Sequence, residues 1–315
     1  MVKIAIAGGS GNVASEVVDV LAASGKHEIL LLIRKDPPDV KIPGAAWIKT
    51  DYHDLDALAK ILEGVNTLLS FIVADKDPGG VVQKNLIDAA VRAGVKRFAP
   101  SEWATSSLHH MPWYQAKADI RAYLAELNKE RKVLEYTLFQ PGLFTNYLGW
   151  PHRVAKHLHL FQIPLDYQNR RALVVDGQQD ARITLTTVSD LTRVVAAAID
   201  YEGEWPVDGG IRGEELTVAE IIALGEKLRG PFSVEKLSEQ SLLDYTAEPT
   251  WVPRIEHPSL KPEQVESLGK VFLKGLLLGM KEGNFVVSDT WNRLLPELEL
   301  TRAEAFLAPI WTGKD

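Results

Sequence analysis

Residues 8–14 read GGSGNVA, between an apolar run (VKIAIA, 2–7) and a segment in which Val13, Val17, Val18, Leu21 and Ala22 recur at helical spacing until Gly25. Together they form a strand, a Gly-rich turn and a helix. The three small residues Gly8, Gly11 and Ala14 stand three apart, which is the spacing needed where something approaches the backbone. Gly8 permits the tight turn, Gly11 lets a phosphate reach the main chain, and Ala14 lets the helix pack on the strand; the helix N-terminus adds free N–H groups and a positive dipole end. Gly9, Ser10, Asn12 and Val13 complete the turn. The motif is Gly-x-x-Gly-x-x-Ala rather than the tighter Gly-x-Gly-x-x-Gly. On its own it specifies a phosphate; between a strand and a helix it specifies a dinucleotide pyrophosphate.

Working outward, HEILLLI (27–33), AAWIK (45–49), NTLLSFIV (66–73), KRFAP (96–100) and LEYTLFQP (134–141) read as strands, with helices over 54–64, 81–94 and about 113–130 between them. Near-continuous apolar strands mark a parallel sheet covered on both faces. Six alternations within about 140 residues predict an α/β, doubly wound parallel sheet. After Pro141 the pattern loosens: LGWPHRVAKHLHLFQIPLDYQNRR (148–171) has no clean period, and TTVSDLTRVVAAAID (186–200) returns to a helix capped near Ser189. Further helices are expected over 217–229 (N-capped by Thr217), 235–246, 261–281 and 289–306. The expected organisation is a dinucleotide-binding domain over 1–150, rejoined by 183–208, with a smaller, mostly helical substrate-binding subdomain from 151–182 and 209–315.

The 315 residues suffice for a well-buried core, and 46% hydrophobic with 24% charged residues is a globular composition. A net charge of −7 argues against nucleic acid as a partner. There is no cysteine, so thiolate nucleophiles, thiolate metal sites and disulfides are excluded. No apolar run reaches the roughly 20 residues that span a bilayer, and no basic leader opens the chain, so the expected address is cytoplasmic.

The second strand closes at Ile33, and Arg34-Lys35 follow it, Arg34 lying 20 residues after Ala14. An acidic residue here would bond a free ribose 2′-hydroxyl, whereas a cation accommodates a 2′-phosphate. Arg34 and Lys35 therefore favour NADPH, although Asp36 is close enough to serve NAD.

Three more segments, AGVKRFAPSEW (93–103), Lys117 at the head of the next helix, and PGLF (141–144), follow the Gly-rich turn in order. With them the chain resembles the NmrA-like and isoflavone-reductase-like families of atypical short-chain dehydrogenases over about residues 1–290. The resemblance implies a Rossmann fold and NADPH as cofactor, with Gly8, Gly9, Ser10, Gly11, Asn12 and Val13 around the pyrophosphate. It further implies that Arg34 and Lys35 face the 2′-phosphate, and that Phe71 and Ile72, at the end of strand four, lie along the cofactor. Lys117 matches the family lysine that contacts the nicotinamide ribose and assists proton transfer.

Lys117 also has an independent chemical rationale: a closed cleft and a cationic nicotinamide both disfavour its charged form, leaving it able to act as an acid. The alternative is a surface pair with Asp119. Tyr114 precedes Lys117 by three residues instead of the four of the familiar Tyr-x-x-x-Lys dyad, yet shares its helical face. It is a second catalytic candidate, or lines the substrate pocket with Trp113. Five histidines, His109, His110, His152, His157 and His159, invite a metal reading, but no carboxylate-bearing helix frames His157-x-His159 and no metal is expected. His152 is a candidate proton donor, and Phe144, Asn146, Tyr147 and Trp150 are expected to line the substrate site.

The leading expectation is an NADPH-dependent reductase acting on a C=C, C=O, C=N or benzylic ether of an aromatic or polycyclic small molecule, in specialised metabolism, as a monomer or homodimer. Two alternatives keep the cofactor: an NADP(H)-sensing regulator without turnover, and a non-reductive cyclase or isomerase. An enclosed aromatic pocket above the nicotinamide position would favour the enzyme; a flat surface would favour the sensor.

Overall fold

The apolar run becomes β1 (Lys3–Ala7), and the Gly-rich turn opens α1 (Asn12–Ser24), which ends at Gly25 in the left-handed conformation that a residue without Cβ adopts freely. The computed structural model describes residues 1–254 and 262–314, with backbone only for Asp75 and 262–267. β2 (Glu28–Ile33), β3 (Ala45–Lys49), α2 (Leu55–Ile61), β4 (Thr67–Ser70), α3 (Val81–Ala93), β5 (Arg97–Ala99), α4 (Gln115–Leu127) and β6 (Glu135–Tyr136) follow. All six strands are parallel in the order β3-β2-β1-β4-β5-β6, with Ile4 opposite both Ile29 and Thr67. The order reverses between β1 and β4. Crossovers leave the two sides of that point in opposite directions and open a crevice at the carboxyl ends of the strands, where ligands bind in such sheets.

Both faces of the sheet are covered, as the uninterrupted apolar strands require. On one face Val17, Val18 and Leu21 of α1 meet Leu191, Val194 and Ala198 of α5 (Val188–Asp200) over Ile4, Ile6 and Ile29. On the other, Leu58, Leu86, Ile87, Ile120 and Leu124 of α2, α3 and α4 cover Ala5, Leu30 and Leu68. The fold is a Rossmann fold with an additional region beyond it.

That region carries helices and short strands. β7 (Leu138–Gln140), β8 (Leu143–Phe144), β9 (Leu165–Asp166), β10 (Arg171–Val175) and β11 (Arg182–Thr186) precede α5; β12 (Asp208–Gly210), β13 (Glu214–Thr217), α6 (Val218–Arg229), β14 (Ser233–Leu237) and α7 (Glu239–Leu243) come after it. α8 (Pro262–Lys281), α9 (Thr290–Leu294) and α10 (Ala303–Trp311) complete the chain. The strands form small sheets β14-β10-β9, β13-β11-β8 and β12-β7. Thr217 caps α6 through a capping box with Glu220, as its sequence predicts.

Four local expectations are corrected. The sixth strand divides after Tyr136: β6 stays in the main sheet, while β7 pairs with β12, a partner drawn from later in the chain. The helix expected over 235–246 is β14, paired with β10, followed by the short α7, which restarts where the Ser238 hydroxyl accepts from the Ser241 N–H. The helix expected over 289–306 divides into α9 and α10, with Pro296 in the stretch between them, where its missing N–H and its ring disfavour a continuous helix. The cap of α5 is Thr187, whose hydroxyl accepts from the Asp190 N–H, and Ser189 lies within the helix.

Candidate active site

The Gly-rich turn is held by the ends of its neighbouring strands. Gly8 has a φ of 74°, and a Cβ there would stand 3.0 Å from the Phe71 carbonyl oxygen, so only glycine lets the turn pass this close to the end of β4. The Gly8 and Gly9 N–H groups donate to the Leu32 carbonyl, and Gly11 N–H closes the turn onto the Gly8 carbonyl at 2.9 Å. The Tyr52 hydroxyl is a further brace, donating to Leu32 O at 2.6 Å and lying 3.1 Å from the Gly8 nitrogen. Burial pushes the Tyr52 phenol up to about 12, so it remains a neutral hydrogen-bonding strut.

Beyond the turn, Gly11, Asn12, Val13 and Ala14 form one end of a cavity of about 560 Å³. Its walls are Phe71, Val73 and Ala74 after β4; Ser101, Glu102 and Trp103 after β5; Trp113, Tyr114 and Lys117 at the start of α4; and Leu268, Val271 and Phe272 of α8. The first turn of a helix has N–H groups with no intrahelical partner, so the glycine end is suited to anionic oxygen and the far end to an apolar ring.

Lys117 is 6% exposed. Its ammonium donates to the carbonyl oxygens of Ser101 (2.5 Å) and Glu102 (2.7 Å) and lies 4.8 Å from the centre of the Tyr114 ring. Burial drives its pKa down to about 8; the Glu102 carboxylate opposes the shift and the Arg121 guanidinium adds to it. Glu102 is itself buried and held by a forked Arg121, which also bonds the Ser106 and Thr105 carbonyls. An ammonium has three donors, and two are fixed by main-chain oxygens at the cavity wall. The alternative, a surface pair with Asp119, does not form; Asp119 accepts from Gln115.

Arg34 and Lys35 are exposed just past β2, outside the cavity, and the Arg34 charge reaches the Tyr52 phenol beside the turn. Asp36, the rival ribose partner, is bonded to Lys49 at 2.5 Å. Phe144 and Tyr147 line a smaller chamber of about 90 Å³ that shares Trp103, Trp113, Tyr114 and Phe272 with the main cavity. Burial also raises the phenols of Tyr114 and Tyr147.

Four expected residues lie elsewhere. Ile72 points into the core on the opposite face, because side chains alternate along an extended segment. Asn146 is structural: it accepts from the Val188 N–H and donates to the Val154 carbonyl. Trp150 borders a separate surface pocket with Arg171 and Trp251. His152 packs edge-on against Trp311 and faces Lys314, and it is not among the residues that line the cavity or its smaller chamber. His157 pairs with Asp19 of α1 at 2.9 Å.

The profile of the NmrA-like family matches residues 2–244. The chain belongs to the NmrA-like family. Among curated relatives, Oxidoreductase swnN of Metarhizium robertsii is 25% identical over 100% of this chain and 98% of its own length. Oxidoreductase BOA1 of Botryotinia fuckeliana is 29% identical over 73% of this chain and 77% of its own. Among solved structures, the NADPH-dependent quinone oxidoreductase QOR2 of Escherichia coli, complexed with NADPH, superposes with a TM-score of 0.65 at 20% identity, covering 98% of this chain and 100% of that one.

Within this NmrA-like chain several wall residues escape sequence reasoning. Trp103 takes a positive φ of 46°, stacks on Phe71 at 4.2 Å and on Phe139, and donates its indole N–H to Ser70 O. Its place in APSEW marks it as adjacent to the site but does not show that its ring turns back onto β4. Leu268, Val271 and Phe272 give only an amphipathic pattern, which does not disclose what the helix covers.

Proposed function

We propose that the chain is an NADPH-dependent reductase of an aromatic or polycyclic small molecule bearing an electron-poor carbon. The observation carrying this reading is the placement of Lys117: a buried ammonium, lowered to about 8, on the wall of an aromatic-lined cleft that begins at the Gly-rich turn. The names of the curated relatives support redox chemistry, and a shaped cavity favours an enzyme over a sensor.

The residues present fit the dinucleotide. Gly11, Asn12 and Val13 would hold the pyrophosphate, where a Cβ on Gly11 would intrude to 3.2 Å from Gly8 O. Arg34 and Lys35 would pair with the 2′-phosphate, and Phe71 would lie along the cofactor. When bound, NADPH supplies a hydride, two electrons for one substrate carbon. Lys117 holds the proton for the partner atom at Nζ; Ser101 O and Glu102 O fix its direction, so little reorganisation is needed on transfer. Trp103, Trp113, Tyr114 and Phe272 would exclude water and orient a flat substrate, and the Tyr114 phenol would be a second candidate donor on the wall that carries Lys117. Residues 1–150 with 183–208 would carry the cofactor, and the remaining segments the substrate.

Loss of NADPH absorbance with a panel of aromatic enones, imines and quinones tests the reading. Turnover that falls at least about a hundred-fold in Lys117→Ala while NADPH still binds is the expected result. Product formation without NADPH oxidation would replace the reductase with a cyclase or isomerase.

A further inference from the structure

Outside the cavity the fold brings together two histidines and a carboxylate from distant parts of the sequence. His109 Nδ1 stands 2.5 Å from one oxygen of Glu282, and His110 Nε2 stands 2.9 Å from the other. All three groups offer a ligand atom within 4.8 Å of one another. Neighbouring residues on an extended chain point to opposite sides; here His110 has a positive φ of 62°, and the two rings lie 4.0 Å apart on the same side.

The backbone beneath them is fixed. Asn284 donates to the His109 carbonyl at 2.7 Å. The loop lies against α8 where that helix has no side chain: a Cβ on Gly275 would stand 2.7 Å from His110 O and would collide with the Trp113 ring, and one on Gly279 would stand 2.7 Å from Met111. His109 and Glu282 are exposed, so an ion has access, while His110 is half-buried.

We infer that His109, His110 and Glu282 form a binding site for a divalent transition metal of the zinc class, clipping the β5–α4 loop to the C-terminal end of α8. Two imidazoles and a carboxylate are the donor set such an ion prefers over magnesium or calcium. Ligand atoms sit about 2.0–2.2 Å from zinc in a tetrahedral site, so small side-chain rotations bring all three to one centre, with water in the fourth position. The clip joins two walls of the cavity: the loop runs from Ser101–Trp103 to Trp113–Lys117, and α8 carries Val271 and Phe272. The inference stands independently of the reductase reading.

Calorimetric titration of zinc chloride into chelator-stripped, untagged protein tests it. One site per chain is expected, with affinity lowered at least about ten-fold, ~1.4 kcal/mol, in both Glu282→Gln and His109→Ala, and no comparable site for magnesium chloride. Zinc should also raise the melting temperature of the wild type and leave that of His109→Ala unmoved; this exposed position keeps the test valid if Glu282→Gln folds poorly. Absence of zinc binding, or equal zinc affinity in the wild type and either variant, would overturn the site.

Discussion

At the scale of single residues, the decisive group is Lys117. Burial lowers its pKa from the ordinary 10.5 to about 8. An acid acts in its protonated form, so the reductive step should be fast below about pH 8 and fall as pH rises through it, and the profile of Lys117→Ala should lack that limb. The same shift has a consequence for stability. Between about 8 and 10.5 the unfolded chain holds a proton that the folded one has lost, so Lys117 makes stability rise with pH across that window. Across this window the denaturant midpoint of the wild type should rise relative to that of Lys117→Met with increasing pH; parallel curves would contradict the lowered pKa. Trp103 is the other residue of consequence, because its indole bond to Ser70 O and its stacking on Phe71 join the ends of β4 and β5 under the cavity.

At the scale of elements, α8 forms one wall of the cavity through Leu268, Val271 and Phe272, and its glycines allow it to lie on the loop before α4. Gly275→Val should force helix and loop apart at Trp113, destabilising the fold by about 1–3 kcal/mol in denaturant unfolding. It should also weaken substrate binding more than cofactor binding, since the Gly-rich turn lies at the cavity's other end. The elements nearest this turn were legible in the sequence: β1, α1, β2 and α3 follow from apolar runs, periodicity and terminal glycines. β14 was not, nor was the division of the expected sixth strand into β6 and β7: β14 pairs with Arg171–Val175 and β7 with Asp208–Gly210, both remote in the sequence, and local pattern carries no trace of either pairing.

At the scale of the whole molecule, the doubly wound sheet brings the Gly-rich turn and the segments after β4 and β5 to one crevice, and the later segments close it from outside. Gly11, Asn12 and Val13, which line the cavity, follow from the spacing of the Gly-rich turn; Phe71 and Lys117, which line it too, come only from the family resemblance. Ile72, Asn146, Trp150 and His152 were misplaced because irregular chain around the sheet leaves no period from which to read direction. The surrounding wall, from Trp103 to Phe272, is set by packing between elements.

The most direct test of the central claim, that the crevice seats NADPH with Arg34 at its 2′-phosphate, is a fluorescence titration of NADPH and NADH against the wild type and Arg34→Ala. NADPH should bind the wild type at least about ten-fold more tightly than NADH, ~1.4 kcal/mol, and Arg34→Ala should abolish most of that preference. Equal affinities in the wild type, or a preference unchanged in Arg34→Ala, would contradict it.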